Sequence, residues 1–155
     1  MTGDELKQYL DRNGVHYSLI AHEPRYTAQE VAGVAHVPGK QMAKTVIVKV
    51  DGRLAMVVLP ASDRVVFDML REALDAGAVE LAGEREFMDA FPGCERGAMP
   101  PLGNLYGLPV YVADDLAEDD EIAFNAGSFT ELIRMRYRDF DRLVQPAVLH
   151  FSTQM

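Results

Sequence analysis

The sequence predicts an α+β domain, and three observations carry that reading. Two β-branched runs, Lys44 to Val50 and Arg53 to Leu59, flank Asp51-Gly52, a pair that tolerates positive φ at both positions and so makes a two-residue hairpin turn. The stretches Thr2 to Glu5 and Thr27 to Glu30 have capping-box spacing, in which a Thr hydroxyl and a Glu carboxylate satisfy each other's orphan amides at a helix start. Strand and helix signals follow one another in irregular order, which argues against a regular βαβ winding.

In chain order, the first helix starts at Thr2 and closes at Gly14, a short strand runs through "HYSLI", and the second helix runs from Thr27 towards Ala35. The hairpin follows. Ser62 or Asp63 then caps an amphipathic helix in which Val66, Leu70 and Leu74 recur at fourfold spacing, ending near Gly77. A strand "AVEL", a short helix around "EREFMDAF", a Gly/Pro loop, and strands "LPVYV" and "EIAFNA" come next. In "ELIRMR" Ile133 and Met135 share one face and Arg134 and Arg136 the other. A last helix, "YRDFDRLV", ends before Pro146.

A chain of 155 residues has room for one domain with a real core, taken as residues 1–155. With 48% hydrophobic and 25% charged residues, the composition is that of an ordinary globular protein. Apolar runs stop short of the roughly 18 residues a membrane span needs. Asp4, Glu5 and Lys7 stand where a signal peptide would be apolar, so a cytoplasmic protein without a membrane partner is expected. The single Cys94 fits a reducing compartment. A formal net charge of −9 argues against broad attraction to nucleic acid, so no DNA partner is expected and any RNA contact is local. Lys40, Lys44 and Lys49 form one basic cluster, and Arg134, Arg136, Arg138 and Arg142 another. The acidic run "DDLAEDDE", Asp114 to Glu121, reads as a solvated loop face.

The usual chemical signatures are missing. His16, His22, His36 and His150 have no metal-ligand spacing, and there is no P-loop, G-x-G-x-x-G or G-x-S-x-G. No cofactor or metal is expected, and a loop thiol such as Cys94 is inert unless a histidine approaches it in space. What stands out is "GAMPPLGNLYG", residues 97 to 107, rigid in backbone and almost bare of reactive side chains. It is either a tight surface turn or a shaped main chain that a ligand approaches. In "FNAGS" a strand runs into Gly127 and Ser128, which either exposes amides and a hydroxyl to a ligand or simply turns. Lys44 opens a hairpin strand, where a lysine is either solvated or functional.

Taken in order, "HEPRYTAQEVA", "AKTVIVKV", "GAMPPLG" and "FNAGSFTELIRM" resemble the YbaK/prolyl-tRNA-synthetase-associated editing domains, over about residues 15 to 145. The resemblance implies a mixed, curved β-sheet with antiparallel hairpins and helices packed outside. It also implies hydrolysis of mischarged aminoacyl-tRNA, chiefly tRNA for proline carrying alanine or cysteine, with the aminoacyl-tRNA 3′ end as partner. By position Lys44 matches the lysine that holds the 3′-end phosphates, with Thr45 beside it. Gly97 and Pro101 match the ends of a G-x-x-x-P loop around the ester, enclosing Ala98, Met99 and Pro100, and Gly127 and Ser128 match the strand end lining the pocket. On this resemblance Lys44, Gly97, Pro101 and Ser128 are the candidate catalytic residues; His22, Thr45, Ala98, Met99, Pro100, Gly127 and Phe129 are candidate substrate contacts. Many relatives carry His where this chain has Phe129, which neither donates, accepts nor titrates.

An aminoacyl ester is already activated, so a site of fixed main-chain donors that admits water suffices and no nucleophile is needed. The acidic balance leaves two other possibilities: a non-catalytic module that binds a small ligand or docks on a synthetase, or an enzyme that borrows tRNA affinity from a partner synthetase or elongation factor. A general esterase is a weaker third reading, since no nucleophile motif is visible.

Overall fold

The computed structural model describes residues 2–95 and 97–155. The chain runs α1 (Gly3–Arg12), β1 (Tyr17–Ala21), α2 (Ala28–Ala35), β2 (Ala43–Val50), β3 (Arg53–Pro60), β4 (Asp63–Val65), α3 (Phe67–Ala73) and β5 (Val79–Leu81). It continues through α4 (Glu84–Phe87), β6 (Val110–Ala113), α5 (Asp114–Ala117), β7 (Glu121–Asn125), β8 (Glu131–Arg136), α6 (Tyr137–Val144), β9 (Ala147–Leu149) and β10 (Ser152–Gln154).

Local chemistry sets the element ends. Thr2 Oγ1 accepts from the Glu5 amide at 3.2 Å and Glu5 Oε1 accepts from the Thr2 amide at 3.3 Å, a complete capping box for α1. At α2, Thr27 Oγ1 accepts from the Glu30 amide at 3.1 Å. Each such cap is worth about 1 kcal/mol. Asp51 and Gly52 take φ of 49° and 83°, the positive pair that matches a two-residue turn to the twist of β2 and β3.

Among the described residues the strands form a mixed five-stranded sheet in the order β5-β2-β3-β6-β9, in which β3–β6 and β6–β9 are parallel. A three-stranded antiparallel sheet has the order β1-β8-β7, and β10 pairs with β4. A parallel bridge between Met42 and Ala123 ties the start of β2 to β7. Strand alternation then sorts the cores. Ile47, Met56 and Val58 of the larger sheet meet Ile122, Phe124, Ile133 and Met135 of the smaller one in the main core, with Leu6 and Leu10 of α1 and Phe140 and Val144 of α6. On the opposite faces, α2 packs Val31 and Ala32 over Ala123 and Leu132, and α3 packs Leu70 over Val57 and Leu59. The result is the expected α+β architecture, a mixed sheet with helices packed outside it.

Three sequence expectations change. Neither Ser62 nor Asp63 caps a helix: Asp63 starts β4, its side chain accepts from Ser152 Oγ at 2.8 Å, and α3 begins at Phe67 after Val66 with no side-chain cap. Pairing with β10 overrides the local capping preference. The acidic run is not a solvated loop throughout, because Asp114 to Ala117 form α5 and bury Leu116 completely. Strands β9 and β10, beyond Pro146, carry no signal that the sequence reading used. No helix among the described residues is long and apolar enough to cross a membrane.

Candidate functional site

The Gly/Pro loop and the β7–β8 turn form one main-chain unit. The Glu95 amide donates to the Gly127 carbonyl at 2.9 Å, the Gly127 amide donates to the Ala98 carbonyl at 3.1 Å, and the Ala98 amide donates back to the Glu95 carbonyl at 3.0 Å. Gly97 and Gly127 take φ of 82° and 91°, open to glycine and strained for other residues. The Glu95 carboxylate accepts from the Phe129 amide at 2.9 Å. Beyond Gly97 the loop turns inward: Ala98 is 0% and Met99 5% exposed, and Pro100 and Pro101 are buried. The segment is therefore shaped backbone and not a surface turn. Among the described residues, the amides of Gly97, Met99 and Ser128 have no protein acceptor, which leaves donors on both the loop and the turn of this unit.

Phe129 covers the exposed side of Gly97, its ring Cζ 3.4 Å from the position a Cβ would occupy there. Tyr26 meets the Phe129 ring edge to face at 5.4 Å between centroids. Pro24, Tyr26, Glu95, Phe129 and Thr130 bound a cavity of about 610 Å³. Ser128 Oγ lies 3.3 Å from Thr130 Oγ1 at its edge. His22 anchors the entering segment: its amide donates to the Thr130 carbonyl at 2.9 Å, and its Nδ1 donates to the Glu23 carbonyl at 2.8 Å. With Nδ1 so engaged, Nε2 of a neutral ring is an acceptor, and it is buried without a partner. Behind the turn, Cys94 Sγ packs 3.6 Å from the Tyr106 hydroxyl, whose ionisation burial pushes well up.

Lys44 stands at the start of β2, half-buried, and its Nζ donates to the Asp63 main-chain carbonyl. Burial lowers its pKa from the usual lysine value, and the Asp63 charge opposes that shift in part. It bounds a second cavity, about 260 Å³, together with Thr27, Ala28, Gln29, Ala61 and Met155. The two cavities flank the Tyr26-Thr27 step, where the chain enters α2.

The structure thus gathers Gly97, Ala98, Gly127, Ser128 and Phe129 around one main-chain unit with His22 at its rim, and places Lys44 across the Tyr26-Thr27 step. Thr45 is not beside Lys44 in the site, because strand alternation turns it to the other face of β2. The sequence reading did not single out Tyr26 and Glu95, although Tyr26 lies in one of its quoted stretches, just ahead of the second capping box. Met155 reaches the Lys44 cavity through the pairing of β4 with β10, for which no local signal exists, whereas Ala61 is brought there by the register of β2 with β3.

The sequence profile of the aminoacyl-tRNA editing domain matches residues 22–143 of this chain. Among similar proteins is the multifunctional Ser/Thr-tRNA deacylase ProXp-y of Escherichia coli K12, 28% identical over 157 residues that cover 97% of this chain and 93% of that one. A proline–tRNA ligase of Lysinibacillus sphaericus is 34% identical over 84 residues, 54% of this chain but only 14% of the ligase. In fold, the chain superposes with a TM-score of 0.83 on a crystal structure of a candidate trans-editing enzyme for prolyl tRNA synthetase, at 18% identity and over 97% of this chain and 96% of that one.

Proposed function

The chain belongs to the aminoacyl-tRNA editing domain family, and on that premise we propose that it clears tRNA mischarged with a small amino acid through the main-chain unit of Gly97 and Gly127. The observation that carries this is the set of amides, Gly97, Met99 and Ser128, left without acceptors among the described residues on a loop and turn that hydrogen-bond each other into place. Such donors stabilise the oxyanion that develops when water adds to the ester carbonyl, and being fixed they need no reorganisation during reaction. The water oxygen bonds to the carbonyl carbon, the carbon–oxygen bond to the ribose breaks, and the ribose oxygen takes a proton. Free amino acid and uncharged tRNA result. No side-chain nucleophile is required, and the vicinal ribose hydroxyl positions the water. Lys44 holds a phosphate of the 3′ end as a point charge at the mouth of the smaller cavity.

Two substrate readings follow from that cavity, whose size suits a short side chain. Ala28, Ala61 and Met155 make an apolar wall suited to alanine or cysteine on tRNA for proline, a reading that the partial match to a proline–tRNA ligase supports. Thr27 and Gln29 add polar groups that suit a hydroxyl-bearing residue, and the full-length likeness to a Ser/Thr-tRNA deacylase favours serine or threonine. The test is a deacylation panel of purified protein against Ala-, Cys-, Ser-, Thr- and Pro-charged tRNAs. The expected result is selective loss of one small-residue pair with Pro-tRNA for proline spared; equal rates across the panel, or none above buffer, remove the editing reading.

A further inference from the structure

Tyr26 is 76% exposed, the most exposed of the large hydrophobic side chains that stand open to solvent among the described residues. An aromatic ring held open to water next to a site needs a reason, because burying its apolar face would be favourable. It is also not loose in direction. The Phe129 ring braces it edge to face, Phe129 is fixed through its amide by Glu95, and the Thr27 cap on α2 sets the chain immediately after Tyr26. Two braced aromatics therefore bound a cavity large enough for a nucleobase, about 610 Å³, and one of them, Phe129, lies against Gly97.

We propose that Tyr26 and Phe129 form a stacking seat for an unpaired base of the tRNA 3′ end, a seat that rests on the editing reading and adds a base-binding site to it. Charge supports a base over a phosphate at this place. The chain is strongly acidic overall and Glu95 stands at the rim, so a phosphate would meet repulsion, whereas a base offers a neutral π-face. Position supports it too. Phe129 lies against Gly97 and Tyr26 lies against Phe129, so a base stacked on this pair sits beside the unit proposed to hold the ester. Stacking there supplies affinity that does not depend on counterion release, which an acidic protein cannot draw on broadly. The substitution of Phe129 for an imidazole then reads as a gain of stacking surface.

The test uses the full chain and a tRNA whose amino acid is joined by a non-hydrolysable amide, carrying 2-aminopurine for the terminal adenine or pyrrolo-cytosine at the penultimate position. Binding should quench one of the two probes. Tyr26→Leu and Phe129→Leu should abolish that quench and weaken binding about five- to a hundred-fold, while Tyr26→Phe keeps both. The slope of log K against log[salt] should be the same in Tyr26→Leu as in wild type, since no phosphate contact is lost. Wild-type affinity in Tyr26→Leu, or no quench of either probe, overturns the seat. Deacylation of the ester-linked tRNA by wild-type protein is followed in parallel. Hydrolysis without quench removes the seat alone, quench without hydrolysis keeps the seat and removes the catalytic reading, and the absence of both removes both.

Discussion

Gly97 lies against the Phe129 ring, where a Cβ would meet Cζ at 3.4 Å and Cε1 at 3.9 Å, and its φ is +82°. Gly97→Ala therefore adds backbone strain of roughly 1–2 kcal/mol and sets a methyl in van der Waals contact with the ring above it. Both effects fall on the loop proposed to hold the ester, while the core below is untouched. We expect kcat/KM to fall by more than about tenfold for roughly 1.4 kcal/mol lost at the transition state, with Tm lower by only a few degrees. Full activity in Gly97→Ala would detach this loop from the reaction.

Gly103, six residues further on, is a packing glycine of another kind. A Cβ there would stand 2.6 Å from Val110 Cγ2, 3.2 Å from Met56 Sδ and 3.4 Å from the Leu108 carbonyl, inside the main core. Gly103→Ala should destabilise by about 1–3 kcal/mol through overpacking. Val110→Ala in the same chain should relieve most of that. Urea unfolding of the single and double variants measures it, and equal stability of Gly103→Ala and wild type would contradict the packing.

Much of this was legible beforehand for physical reasons that particular residues illustrate. Thr2, Thr27 and the Asp51-Gly52 pair act through neighbours within four residues, so their caps and turn can be read from the chain alone. Asp63 could not be read that way. Its local cap potential lost to pairing with Ser152, a partner 89 positions away. The site shows the same division. Gly97 and Gly127 announce positive φ by being glycines, but the bonds that join them through Glu95 and Ala98 are long-range, as is the entry of Met155 into the Lys44 cavity.

Asp115 gives the protein a pH dependence near neutrality. Burial first, then a hydrogen bond to the Asp63 carboxyl and the charges of Asp63 and Asp114, push its pKa up from the usual aspartate value to about 7. Ser152 Oγ also faces it at 3.5 Å, and His150 Nδ1 sits 3.1 Å from an Asp114 oxygen on the neighbouring residue. Because the folded state holds the proton more tightly than the unfolded state, the native form binds more protons between about pH 4 and 7. Stability from this group is therefore present at low pH and is lost as pH rises through about 7. The Tm of wild type should fall from pH 6 to pH 8, and Asp115→Asn, which cannot ionise, should flatten the profile and be the more stable form at pH 8. A wild-type profile that rises over this range would contradict the raised pKa of Asp115.

Lys44 is the last and sharpest discriminator, because its two possible roles differ in every readout. If its ammonium grips a 3′-end phosphate, Lys44→Ala loses a charge-assisted hydrogen bond of roughly 1.5–3 kcal/mol, and kcat/KM should fall by about one to two orders of magnitude. Folding should hardly change, since burial already disfavours the charge and only the bond to the Asp63 carbonyl is lost. Lys44→Arg keeps the charge but swaps a compact ammonium for a planar fork, in a cavity of about 260 Å³ closed by Ala28 and Ala61. Partial rescue therefore marks a charge role, and no rescue marks a geometric one. Salt separates phosphate binding from either, because each neutralised single-strand phosphate contributes about 0.7 to the slope of log K against log[salt]. Deacylation by wild type and Lys44→Ala at several salt concentrations, with circular dichroism on each, should show the slope flatten when the lysine is removed. An unchanged kcat/KM with an unchanged slope would return Lys44 to a strand-end lysine bonded to Asp63, and the phosphate would then have to be held elsewhere on the rim.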